Sequence, residues 1–339
     1  MRAKPGDDLL KEQLYPFTAT RQAEDIRVGI LTIREKWALI SGENNAAIDY
    51  SMVPSNIIPT KDTAHLIATS FLAGKTLSEY EHIKSLQYPW DIFLLNGWAL
   101  QKDFELLTQG RHSALLSTSN RAISPSNIFI EEGAVVEHSI INATVGPVYI
   151  GKNAEVMEGC MIRGPFALCE GAVLKMGSKV YGATTIGPYC VAGGEIKNSV
   201  MFANSNKGHD GYLGDSVIGE WCNLGGGTTT SNIKNTAGTV KVWNNRSRDY
   251  IGMGLKCGLL MGDYSRAAIN TSFNTGTVVG VCCNIFGEGF PPKLVNDFSW
   301  GKERYSFEKA LQDISNWKKL KGATLTLPEK KNLEQLYNQ

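Results

Sequence analysis

Aliphatic residues recur at every sixth position through the middle of the chain. Seven follow one another at this spacing: Ile150, Val156, Ile162, Leu168, Leu174, Val180 and Ile186. A small residue stands four positions after each of them in all but one case, and glycine or a polar residue usually lies between. The spacing returns at Ile218 and Leu224. A period of six is neither the 3.6-residue period of a helix nor the two-residue alternation of a simple strand.

This period predicts short strands joined by tight turns, with each aliphatic side chain pointing into a narrow triangular prism. Three six-residue units would close one coil, and stacked coils would pair their backbones. The pattern resembles the left-handed parallel β-helix of the hexapeptide-repeat transferases. We therefore predict a mainly β protein with a small N-terminal α/β domain (1–121), a left-handed β-helix (122–290) and a C-terminal helical tail (291–339).

The terminal regions lack the six-residue period. In the N-terminal region, apolar spacing predicts a helix over Arg27–Leu39. The run Trp90–Leu95 predicts a buried strand, followed by a helix through Leu106. After the repeat, prolines 291 and 292 are expected to end the regular structure. Helices are predicted from Phe307 to Trp317 and from Pro328 onward.

The six-residue spacing breaks between Ile186 and Ile218, whose separation in the sequence is not a multiple of six. A solenoid accepts insertions at its corners, where they form loops on one face that often carry the binding site. The stretch is also more polar than the repeats around it. We therefore expect it to be an inserted loop that carries the functional site.

Composition excludes several classes of protein. The 339 residues include 34 Lys or Arg and 33 Asp or Glu, so a net charge of +1 indicates neither nucleic acid nor an anionic membrane as a partner. No window has the apolar length of a membrane span, and the first residues do not form a secretory signal. The seven cysteines have no metal-binding or redox spacing. They predict reduced core thiols in a cytoplasmic protein without a bound metal.

His209 is the sharpest candidate for chemistry, because it lies in a polar, glycine-flanked stretch. Histidine titrates nearest neutral pH and can take a proton from an attacking amine or hydroxyl. Glu195 is the nearest acidic residue in the same stretch and could orient the imidazole. The alternative is a structural or incidental loop histidine.

A longer ordered string surrounds His209. It reads Glu195-Ile196-Lys197, His209-x-x-Tyr212-Leu213-Gly214-Asp215, Asn223-Leu224-Gly225-x-Gly227-Thr228 and Asn232. This string resembles the acetyltransferase half of the bifunctional glucosamine-1-phosphate acetyltransferase/N-acetylglucosamine-1-phosphate uridylyltransferase family. The resemblance implies that His209 is the general base on the sugar amine and that Glu195 orients it. It also implies a substrate-binding set for the sugar phosphate and the acceptor amine, comprising Lys197, Tyr212, Asn223, Asn232 and Arg163.

Acetyl-CoA is the co-substrate that the resemblance implies. Its thioester carbonyl would lie against the N–H groups of Gly225, Gly226 and Gly227. The alternative for these glycines is a simple turn of the coil. The chain departs from the family at Ile233, where the family has tyrosine, so the resemblance leaves the acceptor open.

The N-terminal region carries a second resemblance. Asp7-Asp8, the segment Leu14–Arg21 and the segment Asp25–Thr32 are similar to the opening of a divergent bacterial sugar-nucleotidyltransferase group with a hexapeptide-repeat C-terminus. The resemblance implies that Arg21 and Arg27 contact nucleotide phosphates, the alternative being packing salt bridges.

The phosphate-binding L-x-G-G-x-G-T-R loop of that group is absent, and Met1–Gly6 replace its first strand. We therefore expect weak nucleotide binding at best, with Mg²⁺ required only if this domain is active. Deleting residues 1–121 should spare acetyl transfer if the β-helix folds alone, since coils contact mainly their neighbours.

The leading hypothesis is acetyl-CoA-dependent N-acetylation of an amino-sugar 1-phosphate by a homotrimer, with acyl-CoA bound between subunits. One alternative is a sugar-1-phosphate nucleotidyltransferase, using UTP or dTTP, in which the β-helix is a trimer scaffold. A non-enzymatic β-helix is the third. The ordered string around His209 argues against a non-enzymatic β-helix, and the missing glycine-rich loop argues against a nucleotidyltransferase.

Overall fold

The computed structural model describes residues 7–43, 48–74 and 83–339. Met1–Gly6 therefore lie outside the described residues. The helices are α1 (Asp7–Gln13), α2 (Ile33–Glu43), α3 (Ala64–Leu72), α4 (Asp91–Thr108), α5 (Phe307–Leu320) and α6 (Leu327–Tyr337). None of these helices is long and apolar enough to cross a membrane.

The strands are short and numerous. In chain order they are β1 (Ile57–Ile58), β2 (Lys84–Ser85), β3 (Arg121–Ile123), β4 (Ile128–Ile130), β5 (Val135–Val136), β6 (Ile140–Asn142), β7 (Val148–Ile150), β8 (Glu155–Val156), β9 (Met161–Arg163), β10 (Phe166–Leu168), β11 (Val173–Leu174), β12 (Lys179–Tyr181), β13 (Thr184–Ile186), β14 (Val191–Ala192), β15 (Glu195–Lys197), β16 (Val200–Met201), β17 (Asn206–Lys207), β18 (Tyr212–Gly214), β19 (Val217–Ile218), β20 (Asn223–Leu224), β21 (Thr229–Thr230), β22 (Val240–Asn244), β23 (Asp249–Gly254), β24 (Leu259–Met261), β25 (Arg266–Ala267), β26 (Ser272–Phe273), β27 (Thr277–Val279), β28 (Asn284–Ile285), β29 (Leu294–Val295), β30 (Ser299–Trp300) and β31 (Glu303–Arg304).

The predicted parallel β-solenoid is confirmed. Its coils contribute to a nine-stranded sheet (β4 to β29), a ten-stranded sheet (β5 to β31) and a six-stranded sheet (β3 to β18). Ile150 pairs with Leu168 and Leu168 with Ile186, so one coil takes three of the six-residue units. The predicted aliphatic residues fill the prism, where Ile150, Leu168 and Ile186 are fully buried. All seven cysteines are free and buried.

The prediction of an inserted loop between Ile186 and Ile218 was wrong. Thr185 pairs with Val200, and Val200 pairs with Val217, so the gap contains two continuous coils, each shorter than three full units. Shorter corners change the length of a coil without disturbing the pairing of its strands. The long insertion comes later, between β21 and β24, and contains the antiparallel pair β22–β23.

The N-terminal region is more helical than predicted. Arg27–Leu39 is not one helix, because Gly29 takes a φ of +80° in a tight reversal and α2 begins only at Ile33. Thr32 and Glu35 cap that helix reciprocally, through bonds of 2.7 and 3.1 Å.

The predicted strand Trp90–Leu95 is the start of α4. It buries Ile92 and Phe93 together with Asn96, while Leu94 is 55% exposed. Within the described part of residues 7–121, the sheet structure before β3 is the two-residue antiparallel pair β1–β2.

The N-terminal region covers the nine-stranded sheet. The outward side chains of that sheet form a buried column: Phe129, Tyr149, Ala167, Thr185, Val200, Val217, Leu260 and Val278. They pack in common clusters with α2 and α4. Polar bonds fix the contact, since Thr185 donates to Gly29 O at 3.0 Å and Asn96 donates to Ala183 O at 2.9 Å. This packing argues against the condition that the solenoid folds without residues 1–121, on which sparing of acetyl transfer by the deletion depends.

The C-terminal tail begins later than predicted. Leu294–Val295 and Ser299–Trp300 extend two of the solenoid sheets, so residue 290 and the prolines that follow it do not end the coil. The predicted helices at Phe307 and Pro328 are confirmed as α5 and α6. Both pack on the corner formed by Tyr264, Cys282 and Phe298. The six-stranded sheet contributes no residue to the clusters made by the two terminal regions, and Ile123, Ile140 and Met161 on it are about half exposed.

Candidate functional site

The six-stranded sheet brings together residues of the predicted site. Glu195 and Lys197 lie on β15, and Tyr212 lies on β18 directly beside Glu195. Ile196 and Leu213 point into the prism and are fully buried. Since side chains alternate along a strand, Glu195, Lys197 and Tyr212 lie on the outer face.

Arg163 joins this face. It lies on β9, separated from β15 only by β12, so the stretch of sequence between Arg163 and Lys197 corresponds to two coils. Adjacent strands are about 4.8 Å apart, so the backbones at Arg163 and Lys197 are roughly 10 Å apart. Arg163 and Tyr181 both line an open groove of about 530 Å³ on this sheet.

Tyr181 is a residue of this face that sequence reasoning missed. Its hydroxyl donates to Glu195 Oε1 at 2.6 Å, and its ring lies 5.6 Å from Lys197 Nζ. The hydrogen bond to Glu195, with burial, raises the pKa of Tyr181 to about 12. The alternation of β12 could have found it, because Val180 points inward and Tyr181 must therefore point outward.

The hydrogen bond predicted between Glu195 and the His209 imidazole is not formed in this structure. Within the described residues the carboxylate accepts from Tyr181, and no hydrogen bond joins it to the imidazole. His209 is exposed at the corner between β17 and β18. Glu195 and Tyr212 instead line a cleft of about 310 Å³ with Lys179 and Asp210.

His209 lies against the predicted glycine turn. A Cβ added at Gly226 would be 3.7 Å from Cβ and Cγ of His209, and Gly227 N donates to Asp210 O at 3.0 Å. These contacts join the corner that holds His209 to the corner of the next coil.

The three glycines of that turn differ in their roles. A Cβ at Gly225 would approach Ile269 N to 2.5 Å, and one at Gly227 would approach Asn270 Oδ1 to 2.1 Å. The N–H groups of Gly225 and Gly227 both bond to neighbouring coils. In the described part of the chain, the N–H of Gly226 has no protein acceptor. Coil packing therefore accounts for two of the glycines, and Gly226 alone has an N–H available to a carbonyl.

Asn232 holds the Tyr212 side chain in place through a hydrogen bond to its hydroxyl. Its side-chain amide donates to the Tyr212 hydroxyl at 3.1 Å and also to Asp215, and Asn198 donates to the same carboxylate at 2.7 Å. Burial and the negative charge of Asp215 raise the pKa of Tyr212. The neighbouring Ile233 is 42% exposed.

Asn223 is not brought to this face. It lies on β20 of the ten-stranded sheet, paired with Asn206 and Arg266 on the adjacent coils. Within one chain it therefore lies on a different side of the prism from Tyr212.

Lys207 is a buried cation that the sequence pattern did not single out. It points into the prism from β17 and is 2% exposed. Its Nζ donates to Gly193 O at 2.9 Å and to His209 O at 2.7 Å. Burial lowers its pKa to about 8.

Arg21 and Arg27 lie in packing contacts. Arg21 bonds to Asp263 and lies 3.6 Å from Glu220, both on the solenoid. Burial opposes its charge, but these two carboxylates raise the pKa of Arg21. Arg27 donates to Ile30 O and lies 3.4 Å from Glu35. The packing alternative therefore accounts for the contacts of both side chains.

Among the described residues, no group of three His, Cys, Asp or Glu side chains is arranged to hold a metal ion.

Comparisons with known proteins agree with the predicted resemblance. Residues 6–52 and 58–112 match the family model described as sugar nucleotidyl transferase. The bifunctional protein GlmU of Methanocaldococcus jannaschii is 30% identical over 219 residues, which are 65% of this chain and 47% of that protein. The bifunctional sugar-1-phosphate nucleotidylyltransferase/acetyltransferase of Sulfurisphaera tokodaii is 29% identical over 66% of this chain and 49% of that protein. The chain thus spans about half the length of these curated relatives.

A solved hexapeptide transferase family protein from Anaplasma phagocytophilum is 14% identical, with a TM-score of 0.16 over 65% of this chain and 87% of that one. The fold assignment therefore rests on the paired strands described above. The sequence matches confirm the resemblance to hexapeptide-repeat, bifunctional nucleotidyltransferase/acetyltransferase proteins.

Proposed function

We propose that this chain is a sugar-phosphate transferase that moves an acetyl group from acetyl-CoA to the amine of an amino-sugar 1-phosphate, resembling glucosamine 1-phosphate. One observation carries the proposal: the outer face of the six-stranded sheet presents Arg163 and Lys197 near Glu195, one corner away from His209 and the free N–H of Gly226. Cations suit a sugar phosphate, and an imidazole beside an unbonded N–H suits acyl transfer.

The chemistry follows from these positions. The neutral amine attacks the thioester carbon, and the carbonyl oxygen gains negative charge that the N–H of Gly226 can stabilise. The C–S bond then breaks, so that CoA leaves as its thiolate, and His209 takes the proton that the amine loses. The products are the N-acetyl sugar phosphate and CoA.

The contacts of Glu195 favour a role other than orienting His209. Its bond to Tyr181 and its position beside Tyr212 support a role in holding the acceptor rather than the imidazole. The amide of Asn232 is already bonded to Tyr212 and Asp215, so it supports the pocket by fixing Tyr212.

We propose a homotrimer with acyl-CoA bound between subunits. The half-exposed Ile123, Ile140 and Met161 on the six-stranded sheet support an interface there. Asn223 lies on another side of the prism, so it can contact an acceptor bound on the six-stranded sheet only from a neighbouring subunit. The buried, free cysteines are consistent with a cytoplasmic location.

Sugar-1-phosphate nucleotidyl transfer is the second candidate, and the family-model match to residues 6–52 and 58–112 favours it. It would require Mg²⁺ and UTP or dTTP. The ion pairs of Arg21 and Arg27 leave both arginines engaged in packing, which argues against a strong nucleotide site there.

The test is release of free CoA from acetyl-CoA when glucosamine 1-phosphate is added. His209→Ala should lower the rate by roughly 10²–10⁴-fold, whereas His112→Ala, which replaces another exposed histidine, should leave it unchanged. Glu195→Gln should have a smaller effect than His209→Ala. Unchanged activity in His209→Ala would refute the assignment. Separate assays with N-acetylglucosamine 1-phosphate or glucose 1-phosphate, Mg²⁺ and UTP or dTTP test the second candidate.

A further inference from the structure

A second concave site lies at another corner of the prism, between the nine-stranded and ten-stranded sheets. Tyr189, Asn204 and Trp221 occupy this corner in three successive coils, with φ values of 57°, 63° and 59°. Asn204 N donates to Pro188 O at 2.8 Å, and Trp221 N donates to Ala203 O at 3.2 Å, so the three residues are stacked. The glycine turn beside His209 lies at a different corner.

Two aromatic side chains are thus separated by one short polar residue. Tyr189 leans away from Asn204, because a Cβ at Gly171 in the preceding coil would lie only 2.6 Å from its ring. This leaves a cleft of about 510 Å³ lined by Tyr189, Asn204, Trp221, Lys321 and Ala323. Coils two apart are separated by roughly 10 Å, which is enough for a planar ring between the two side chains.

The segment that follows α5 forms a further wall of the cleft and contributes a cation. Lys321, just after α5, donates to Tyr189 O at 2.8 Å, and no carboxylate of the described chain lies within ion-pair distance of it. By contrast, Lys318 of α5 is paired with Glu329 and lies 4.8 Å from the centroid of the Trp221 ring, so it covers one face of that ring and leaves the other for a ligand. The side-chain amide of Asn204 has no hydrogen-bond partner among the described residues. Lys321 and Asn204 therefore offer a positive charge and an amide next to the two rings.

We propose that this corner cleft binds a nucleotide, with its base beside Tyr189 and Trp221 and its phosphate on Lys321. Aromatic side chains stack on bases of any sequence, and an ammonium without a carboxylate partner attracts phosphate. The Asn204 amide can donate to and accept from the edge of the base. The cleft lies at a different corner from His209 and the glycine turn, and nucleotide binding here does not depend on the acetyl transfer proposed above.

Isothermal titration of the full-length chain tests the proposal. The probes are 3′,5′-ADP, which is the nucleotide part of CoA, and UMP, with inorganic phosphate and adenosine as partial ligands. At least one nucleotide should bind about ten times more tightly than either partial ligand, because only a nucleotide offers both a base and a phosphate. Preference for 3′,5′-ADP would assign the site to CoA, and preference for UMP would assign it to a uridine nucleotide.

Variants separate the two contacts. Tyr189→Leu and Lys321→Gln should each weaken nucleotide binding by roughly ten-fold or more. Tyr189 is 51% exposed, so its replacement should not disturb folding. Lys319→Gln removes a nearby exposed charge from α5 and should leave binding unchanged.

Three results would overturn the proposal: no nucleotide binding at about 1 mM, equal binding by inorganic phosphate, or full binding by both Tyr189→Leu and Lys321→Gln. The two proposals stay distinct in the variants: loss of nucleotide binding in Tyr189→Leu and Lys321→Gln, with binding kept in His209→Ala and Gly226→Ala, supports this corner, whereas binding kept in all four variants refutes it, whatever the acetyl-transfer assay shows.

Discussion

At the residue scale, the most unusual position is Lys207. The inward side chains of the ten-stranded sheet are otherwise apolar, comprising Val136, Val156, Leu174, Ala192, Leu224, Ala267 and Ile285. A lysine in such a column loses its hydration. Its bonds to Gly193 O and His209 O offset part of that cost and anchor the corner that presents His209.

Lys207→Met tests the cost of this burial. The pKa of Lys207 is about 8 in the folded chain, against 10.5 for an ordinary lysine. Between these pH values the unfolded chain binds more protons, so the free energy of unfolding of the wild type should rise with pH relative to the variant. The relative gain should approach about 3 kcal/mol.

Urea unfolding of both proteins at about pH 7 and about pH 10 measures this gain. Other titrating groups are common to both proteins and cancel in the difference. A difference between the two proteins that stays constant across this range would contradict the prediction.

At the element scale, the turn Gly225–Gly227 contains one glycine that coil packing requires and another that lies beside His209. Gly227 has a φ of +74°, and a Cβ there would clash with Asn270 Oδ1, whereas a Cβ at Gly226 would meet His209 at an ordinary contact distance. Two adjacent glycines therefore give matched substitutions with different expected effects.

Gly227→Ala should lower the free energy of unfolding by about 1–2 kcal/mol or more, because it forces a side chain into left-handed backbone. Gly226→Ala should change stability by no more than about 0.5 kcal/mol. It should nevertheless slow acetyl transfer by roughly ten-fold, since the added methyl group contacts His209 on the residue that carries the free N–H. Urea unfolding and the CoA-release assay measure the two effects, and a Gly226→Ala variant with full activity would count against the proposed role of this turn.

At the scale of the whole molecule, the N-terminal region covers one face of the solenoid, and it is also the region that matches the sugar nucleotidyl transferase family model. It buries the outward column of the nine-stranded sheet and bonds to the solenoid through Arg21 and Asp263. Asp103 adds internal rigidity, since it accepts from Ile30 N at 2.7 Å, Leu31 N at 3.1 Å and Lys36.

Removing residues 1–112 should therefore prevent the solenoid from remaining monodisperse, even though β3 and the first coil are retained. The deletion exposes an apolar face along most of the prism, and exposed faces of this size drive association. Size-exclusion chromatography and circular dichroism of the fragment measure the outcome. A monodisperse fragment with native β-signal would show that the coils suffice.

The homotrimer should be detectable by light scattering at micromolar concentration, with contacts that each bury well over about 1,000 Å². Ile140→Glu with Met161→Lys should reduce its mass, because both side chains are exposed on the six-stranded sheet. Leu72→Glu, on an exposed position of α3, is the control. A monomeric wild type would contradict the proposed assembly.

The sequence by itself determined the solenoid and much of its outer face. A period of six specifies which residues point into the prism, since a wrong register would expose the whole aliphatic column. Local patterns were sufficient for α5 and α6, and Thr326 and Glu329 form a capping box at the start of α6. Thr32 and Glu35 form an equivalent signal for α2, which could have corrected its predicted start.

Only the tertiary structure decided how the coils continue and what each charged group contacts. The two shortened coils between Ile186 and Ile218 are invisible to a strict period, because pairing depends on strand register while corners vary in length. Arg21 meets Asp263, which lies far away in the sequence, and Glu195 meets Tyr181 on the previous coil. Such partners are set by how the elements pack, because burial makes a charge costly until a specific neighbour compensates it.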